Sequence, residues 1–244
     1  MTVPGSRTEA MPGAIEFRSF KSRAEASAAA AELLASLIRS ALSSMPAAQA
    51  SLVVSGGTTP GPCFDLLSAE QLDWSRVTVF PSDERWVAAN DPDSNERLIR
   101  SRLLQGKAED GKVLSFFRAG IDAGQAPPII ERDLSALKQP LSASLLGMGE
   151  DGHFASLFPD FDGLEEALDP HGKAACVMVQ TAGSPHLRIS LTLSALLNAE
   201  HTLLLIFGEA KRAVFDKALA GGTTYPIETL LHQCRHPLTV FWAP

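Results

Sequence analysis

An aspartate and a histidine two residues apart follow an apolar run in the middle of the chain. The segment Leu145–Pro159 reads LLGMGEDGHFASLFP, and the run before Gly147 is typical of a buried strand. Glycines after such a strand let the backbone turn sharply and approach a ligand closely. Asp151 and His153 are therefore expected at the carboxyl end of a strand, where ligands bind in open α/β sheets. Histidine titrates near neutral pH, so His153 is a candidate general base, while a tight turn with a surface histidine is the alternative.

A second apolar run is followed by small polar residues that could bind an anion. After SLVV come Ser55, Gly56, Gly57 and Thr58, and Pro60 then opens a predicted helix. Backbone N–H groups at glycines, hydroxyl groups and a helix N-terminus all favour a bound phosphate. The segment has neither the GK[ST] of a Walker A loop nor the dinucleotide fingerprint GxGxxG. It predicts a phosphate cradle, with a plain βα turn as the alternative.

Charged residues follow one further apolar segment and open another. The strand VTVF leads directly into Asp83, Glu84 and Arg85. The arginine could hold a phosphate oxygen, and a carboxylate could position a sugar hydroxyl or move a proton, whereas the alternative is a surface loop with a local ion pair. Arg188 opens an apolar segment, where an unpaired charge is costly. It therefore needs a partner, either a protein carboxylate or a ligand phosphate.

Lys211 lies in the first turn of a predicted helix that follows a buried strand. A cation there opposes the helix dipole, so a bound anion would explain it better than helix stability does. The neighbouring Arg212 is expected to face solvent. Together, the segments place one histidine, two or three carboxylates and three cations at one edge of a sheet. That combination favours a phosphorylated, polyhydroxylated small molecule.

The composition is that of an ordinary globular protein without a membrane span. The chain is 45% hydrophobic, and its net charge of −7 does not favour nucleic acid as a partner. Cys63, Cys176 and Cys234 are far apart and form no CxxC pair, which indicates free thiols in a reducing cytoplasm. No apolar run approaches the roughly 20 residues that a transmembrane helix needs. A monomer and a homodimer both remain open.

The elements that must position these residues alternate between strands and helices. The pattern predicts an α/β fold in one domain over residues 15–244, with a mostly parallel sheet covered by helices on both faces. Residues 1–14 have no signal-peptide core and are expected to be a flexible tail. Predicted strands cover Ile15–Phe20, Ser51–Val54, Val77–Phe80, Val113–Phe117, Ala143–Leu146, Ala174–Val179, Leu187–Leu193, Leu203–Phe207 and Leu238–Trp242. Predicted helices cover Ser22–Leu42, Pro60–Leu67, Ser94–Leu104, Pro128–Lys138, Glu209–Leu219 and Pro226–His232.

Four sets of motifs occur in order along the chain: SGGTTP, SDERWV with the later DSNERLIR, LGMGEDGHFASLFP, and GEAKRAV. They resemble the motifs of the 6-phosphogluconolactonases, which share a superfamily with the glucosamine-6-phosphate isomerases (deaminases). The resemblance runs from about Ile15 to Trp242. It implies a Rossmann-like α/β sheet and hydrolysis of 6-phospho-D-glucono-1,5-lactone to 6-phospho-D-gluconate in the oxidative pentose phosphate pathway. It also implies a reaction without a metal or a cofactor.

The resemblance further implies roles for individual residues. His153 would be the general base, Asp151 its partner, and Asp83 a carboxylate that contacts the sugar. The implied phosphate site comprises Ser55, Gly56, Gly57, Thr58, Arg188 and Lys211, with Arg85 near it. His153 would take a proton from the attacking water and return one to the ring oxygen as it leaves. The tetrahedral oxyanion would need hydrogen-bond donors, which the sequence does not identify.

One position separates the two branches of the superfamily. The isomerases carry a glutamate five residues after the motif histidine, in a segment like GHIAFNEP, where it assists ring opening. Here that position is Phe158, which cannot transfer a proton, so the sequence favours the lactonase. The segment SPHLRIS departs from the proline-rich SPKPPxRxT of many lactonases, which leaves the contacts of Arg188 open. The alternatives are a glucosamine-6-phosphate isomerase/deaminase and a non-catalytic sugar-phosphate-binding protein.

Overall fold

The computed structural model describes residues 7–10, 15–45 and 47–244, over which strands and helices alternate. The strands are β1 Arg7–Ala10, β2 Ile15–Ser19, β3 Ala50–Val54, β4 Val77–Pro81, β5 Asp83–Arg85, β6 Lys112–Val113, β7 Ala143–Leu146, β8 Cys176–Val179, β9 Arg188–Leu191, β10 Thr202–Phe207 and β11 Leu238–Ala243. The α-helices are α1 Arg23–Ser43, α2 Gly61–Ser68, α3 Asn95–Leu98, α4 Ala126–Ser135, α5 Leu164–Ala167, α6 Leu193–Leu197, α7 Glu209–Ala220 and α8 Pro226–Gln233.

Eight strands form one sheet in the order β1-β2-β11-β10-β7-β3-β4-β6. All neighbours from β2 to β6 are parallel, and β1 alone pairs antiparallel, with β2. The central strands β3, β7 and β10 are buried over almost their whole length, as strands covered on both faces must be. The predicted mostly parallel α/β sheet is therefore confirmed.

Side chains from alternate positions of the sheet enter two separate cores. Leu52 and Leu203 point to the face that α1 and α2 cover, where they pack with Leu34 of α1. Val53 and Leu204 point to the opposite face, which is covered by α4, α6, α7 and α8. Helices thus cover both faces of the sheet, and the strand ends are left to carry polar loops.

A second, smaller sheet packs on the side of α4 and has the order β5-β9-β8. Its strands are antiparallel, with Asp83 opposite Ser190 and Arg85 opposite Arg188. The sequence pattern predicts the strands that become β8 and β9, but not β5. The reason is that β5 is the polar tripeptide DER, which has no alternation of apolar and polar residues.

Three predicted segments differ in the structure. The prediction of a flexible tail is wrong for residues 7–10, whose backbone pairs with the free edge of β2. The rest of the predicted tail, residues 1–6 and 11–14, lies outside the described residues. The predicted strand Val113–Phe117 is reduced to Lys112–Val113, because β6 is an edge strand with only β4 beside it. The helix that begins after Ser94 continues from α3 as a π-helical turn, Ile99–Leu103. Within the described residues, no helix has both the length and the apolar character needed to span a membrane.

Candidate active site

One cavity of about 290 Å³ lies where parallel strands of the large sheet end and the small sheet begins. Nine of the ten predicted site residues line this cavity: Ser55, Gly56, Gly57, Thr58, Asp83, Arg85, His153, Arg188 and Lys211. The tenth, Asp151, is not in its wall but contacts His153. Segments more than 150 residues apart in the chain therefore meet at the carboxyl edge of the sheet, as the topology requires.

Asp151 orients the imidazole of His153. Its Oδ1 lies 2.6 Å from Nδ1 of the ring and also accepts a hydrogen bond of 3.2 Å from the backbone N–H of His153. When Nδ1 carries the proton that this carboxylate accepts, Nε2 is the unprotonated nitrogen and can act as a base. Within the described part of the chain, no hydrogen bond occupies Nε2. The histidine is therefore held at one nitrogen and available at the other.

Gly149 makes room for this pair. A Cβ atom at this position would collide with Nδ1 of His153 and with Oδ1 of Asp151. The backbone N–H of Gly149 also donates to the carbonyl of His153 at 2.8 Å, which closes the turn. Only glycine allows the backbone to pass this close to the two side chains.

The two adjacent acids of β5 point to opposite sides, as successive residues of a strand must. Asp83 lines the cavity, where its Oδ2 accepts from the Ser156 hydroxyl at 2.5 Å and its Oδ1 from the Ser82 hydroxyl at 3.0 Å. The side chain of Asp83 is only 8% exposed. Two hydroxyl groups thus fix a carboxylate in the cavity wall.

Glu84 faces away from the cavity and holds the start of α3. Its carboxylate accepts hydrogen bonds from the backbone N–H groups of Asn95 and Glu96, at 2.8 and 2.7 Å, and from the Ser94 hydroxyl at 3.1 Å. Burial raises the pKa of Glu84, and the backbone donors partly oppose that shift. Of the acid pair that the sequence singles out, the structure therefore brings only Asp83 to the site.

Two guanidinium groups stand side by side on the small sheet, since Arg85 and Arg188 are directly opposite each other. Nη1 of Arg188 lies 3.7 Å from Oδ2 of Asp83, so the protein itself supplies one carboxylate partner. Desolvation lowers the pKa of Arg188, and Asp83 opposes this effect more than Arg85 adds to it. Like charges directly opposite each other destabilise a sheet, so an anion bound between the two guanidinium groups would reduce their repulsion.

Lys211 projects into the cavity from the first turn of α7. Among the described residues it forms no ion pair and no hydrogen bond. Burial lowers the pKa of Lys211, and the nearby Arg23 lowers it further, while Glu150 opposes the shift. The expectation that Arg212 faces solvent is wrong. Its side chain is only 22% exposed, and its guanidinium lies 4.0 Å from the ring centroid of Phe17. This cation–π contact stabilises the arginine against the ring.

Sequence reasoning named Phe158 without its contacts, and it missed the role of Asn95. Asn95 lines the cavity and donates a hydrogen bond of 2.6 Å to the carbonyl of Asp83. The ring of Phe158 lies 4.2 Å from that of His153, and the guanidinium of Arg188 lies 5.3 Å from the same phenyl ring. Asn95 belongs to the DSNERLIR motif, which is the signal that could have pointed to it.

Comparison with known proteins gives a consistent result. A family model described as glucosamine-6-phosphate isomerases/6-phosphogluconolactonase matches residues 21–242. A 6-phosphogluconolactonase of Pseudomonas aeruginosa is 38% identical over 236 residues, which are 96% of this chain and 97% of that protein. A 6-phosphogluconolactonase of Rhizobium meliloti is 39% identical and covers 88% of this chain and 95% of its own.

Solved structures agree with these relatives. The crystal structure of a 6-phosphogluconolactonase from Shewanella baltica is similar with a TM-score of 0.86 and 36% identity, covering 93% of this chain and 97% of that one. A monomeric glucosamine-6-phosphate deaminase has a TM-score of 0.75 at 20% identity, so its likeness concerns the fold alone. By sequence over nearly its whole length, the chain belongs to the glucosamine-6-phosphate isomerase/6-phosphogluconolactonase family.

Proposed function

We propose that this protein is a 6-phosphogluconolactonase, which hydrolyses 6-phospho-D-glucono-1,5-lactone to 6-phospho-D-gluconate in the oxidative pentose phosphate pathway. The observation that carries the proposal is a histidine, held by a carboxylate, that lines one cavity together with three cationic side chains. The identity to proteins named 6-phosphogluconolactonase supports the same substrate.

The proposed mechanism uses His153 first as a base and then as an acid. Its Nε2 takes a proton from a water molecule while the water oxygen bonds to the lactone carbonyl carbon. Asp151, hydrogen-bonded to Nδ1, stabilises the imidazolium that forms. The tetrahedral intermediate collapses, the bond to the ring oxygen breaks, and His153 returns the proton to that oxygen. Each proton removed is thus returned, and the histidine ends neutral.

The proposed phosphate site is formed by other residues of the same cavity wall. Lys211, Arg188 and Arg85 supply positive charge, and the loop Ser55–Thr58 supplies hydroxyl and backbone N–H donors. Asp83 would accept from a sugar hydroxyl. Binding the phosphate away from the carbonyl holds the reacting carbon near His153 and turns binding energy into orientation.

Phe158 argues against the amino-sugar branch. The phenyl ring contacts the imidazole at the position where the isomerases carry a glutamate. A phenyl ring has no proton to transfer, so ring opening of an amino sugar would lack its assisting acid. We therefore propose lactone hydrolysis and no release of ammonia.

An assay on freshly generated lactone tests the proposal. Purified protein is added to 6-phosphogluconolactone made from glucose 6-phosphate, and hydrolysis is measured with the spontaneous rate subtracted. We expect turnover of this lactone, much weaker turnover of unphosphorylated gluconolactone, and no ammonia from glucosamine 6-phosphate. Hydrolysis no faster than background, or release of ammonia, would contradict the proposal.

The remaining expectations concern surroundings and assembly. We propose that residues 15–244 act as one domain in the cytoplasm, as a monomer or homodimer, with a sugar phosphate and no nucleic acid or membrane as partner. The net charge of −7 and three free cysteines support this. Burial raises the pKa of the Cys63 and Cys176 thiols to about 12, which makes them unreactive. Light scattering after size-exclusion chromatography would give the oligomeric state.

A further inference from the structure

Asn95 is a buried polar residue in the cavity wall, and its amide oxygen has no hydrogen-bond donor among the described residues. The residue is only 4% exposed and lies just after the N-cap of α3. Neither the histidine chemistry nor the proposed phosphate site uses it. A buried amide normally has hydrogen-bond partners at both its nitrogen and its oxygen, so the partners of Asn95 are informative.

The orientation of the Asn95 amide follows from its neighbour. Nδ2 lies 2.6 Å from the backbone carbonyl of Asp83, and a carbonyl can only accept. The nitrogen must therefore face Asp83, and Oδ1 must face the other way. The backbone N–H of Asn95 is fixed as well, since it donates to Glu84 at 2.8 Å. Main chain and side chain of Asn95 are thus both anchored to β5.

The amide oxygen lies over Gly56 in the proposed phosphate cradle. A Cβ atom on Gly56 would collide with Oδ1 and with the amide carbon of Asn95. No donor from the described residues reaches this oxygen. Oδ1 is therefore an oriented, largely desolvated acceptor between two segments that both line the cavity.

The chemistry of an amide oxygen restricts what can bind to it. It repels phosphate oxygens, so the hydroxyl and N–H donors of Ser55, Gly57 and Thr58 would hold the phosphate and not the face of Gly56 that Asn95 covers. The amide oxygen itself needs an O–H or N–H donor. In the proposed substrate the available donors are the hydroxyl groups of the sugar ring. The Asp83 carboxylate, proposed to accept from one sugar hydroxyl, also accepts from Ser82 and Ser156, whereas Oδ1 of Asn95 has no donor among the described residues. We infer that Oδ1 of Asn95 accepts a hydrogen bond from a ring hydroxyl of the sugar phosphate and so sets specificity for that hydroxyl; this rests on the proposed function.

The expected size of the effect follows from leaving a buried acceptor without a partner. A substrate that lacks the contacted hydroxyl leaves Oδ1 unsatisfied in the complex. We expect kcat/KM of the wild type to fall roughly tenfold to hundredfold for that substrate. Substrates altered at the other ring positions are expected to lose less.

The test combines variants of the enzyme with variants of the substrate. The Asn95→Leu variant removes the acceptor at similar volume, and Asn95→Ser is a second variant in case the first does not fold. The lactones are the parent compound, the three monodeoxy analogues at C2, C3 and C4, and the C2 and C4 epimers. Asn198→Leu is the control, because Asn198 is exposed, lies outside the cavity, and has a side chain that donates to Gln139.

The decisive quantity is the ratio of kcat/KM for the parent lactone to that for each deoxy analogue. We expect one ratio to be large in the wild type and in Asn198→Leu and to approach one in the Asn95 variants. General structural damage would lower both rates and leave the ratio unchanged. Ratios that are equal in the wild type and the Asn95 variants for every analogue would overturn the inference.

Binding separates this inference from the proposed function. Dissociation constants of 6-phosphogluconate and its deoxy analogues are measured by calorimetry with the same proteins. Selectivity in binding that disappears in the Asn95 variants would support the inference even if the wild type hydrolysed no lactone. Unchanged selectivity in binding together with normal hydrolysis would refute the role of Asn95 alone.

Discussion

The large parallel sheet and the small antiparallel sheet contribute to the same cavity in different ways. The large sheet places Ser55, His153 and Lys211 on loops or a helix turn beyond its strand ends. The small sheet places Asp83 and Arg188 within strands, where cross-strand register decides their position. Within the described residues, no hydrogen bond joins Ser55, His153 and Lys211 to one another, whereas Asp83 and Arg188 share the Ser156 hydroxyl.

This difference indicates how the two regions respond to substitution. A change in a loop-borne group removes one function and leaves its neighbours in place. A change in the small sheet alters the hydrogen bonds of several groups together, so its effects should not be additive. We therefore expect substitutions at the loops of the large sheet to have independent effects, and substitutions in the small sheet to have coupled effects.

The largest effect is expected at the loop-borne base. His153→Ala removes the proton acceptor but none of the hydrogen bonds of the small sheet. We expect kcat to fall roughly 10²- to 10⁴-fold, with the affinity for 6-phosphogluconate and the melting temperature nearly unchanged. His171→Ala, at an exposed histidine outside the cavity, is the matched control and should keep full activity. Near wild-type kcat in His153→Ala would exclude this role.

The next largest effect tests the coupling within the small sheet. Arg188→Ala and Asp83→Asn are each expected to weaken binding of 6-phosphogluconate, Arg188→Ala by roughly tenfold to hundredfold, because a charge-assisted contact is lost. The double variant should lose less than the sum, with a coupling free energy of about 0.5–3 kcal/mol. Calorimetry on the wild type, the two single variants and the double variant measures this coupling free energy.

The matched cycle pairs Asp83→Asn with Lys211→Ala, across the two regions. No contact joins these two side chains within the described residues. Their effects on the free energy of binding should add within about 0.5 kcal/mol. Equal coupling in both cycles would show that the proposed difference between the two sheets does not exist.

The sequence predicted the loop-borne half of the site better than the strand-borne half. Apolar runs identify β3, β7 and β10, and the carboxyl ends of parallel strands meet at one edge, so the positions after them could be predicted together. The strand β5 could not, since three polar residues carry no strand periodicity. Which of Asp83 and Glu84 faces the cavity depends on the pairing of β5 with β9 and on the start of α3, which are tertiary facts.

A smaller effect, on stability, is expected at Glu84. Asn95 and Glu96 donate their N–H groups to different oxygens of Glu84, and Glu84→Gln replaces one of these oxygens by an NH₂ group that faces one of the two donors. We expect the free energy of unfolding to fall by about 1–3 kcal/mol, because a buried donor loses its partner. Urea denaturation measures this, with Glu200→Gln at an exposed position as control. Equal stability of the two variants would mean that Glu84 does not hold α3.

The smallest effect is a pH dependence at Lys211. Burial holds the pKa of this ammonium group below the ordinary lysine value of about 10.4. As pH rises through that lowered pKa, the free protein loses the charge that would attract phosphate. Its affinity for 6-phosphogluconate should therefore decline at a lower pH than an ordinary lysine would cause, with proton uptake on binding. Calorimetry in buffers of different ionisation enthalpy, between about pH 8 and 10, measures both.

The Lys211→Arg variant isolates the cause of that decline. A guanidinium stays charged throughout this range, so its binding of 6-phosphogluconate should stay constant where that of the wild type falls. Ionisation of the ligand phosphate is complete by pH 8 and is common to both proteins, since its second pKa is about 6. A parallel decline in both would place the titrating group elsewhere. A decline only in the wild type would identify Lys211 as the titrating group. The effect would then belong to α7, outside the small sheet.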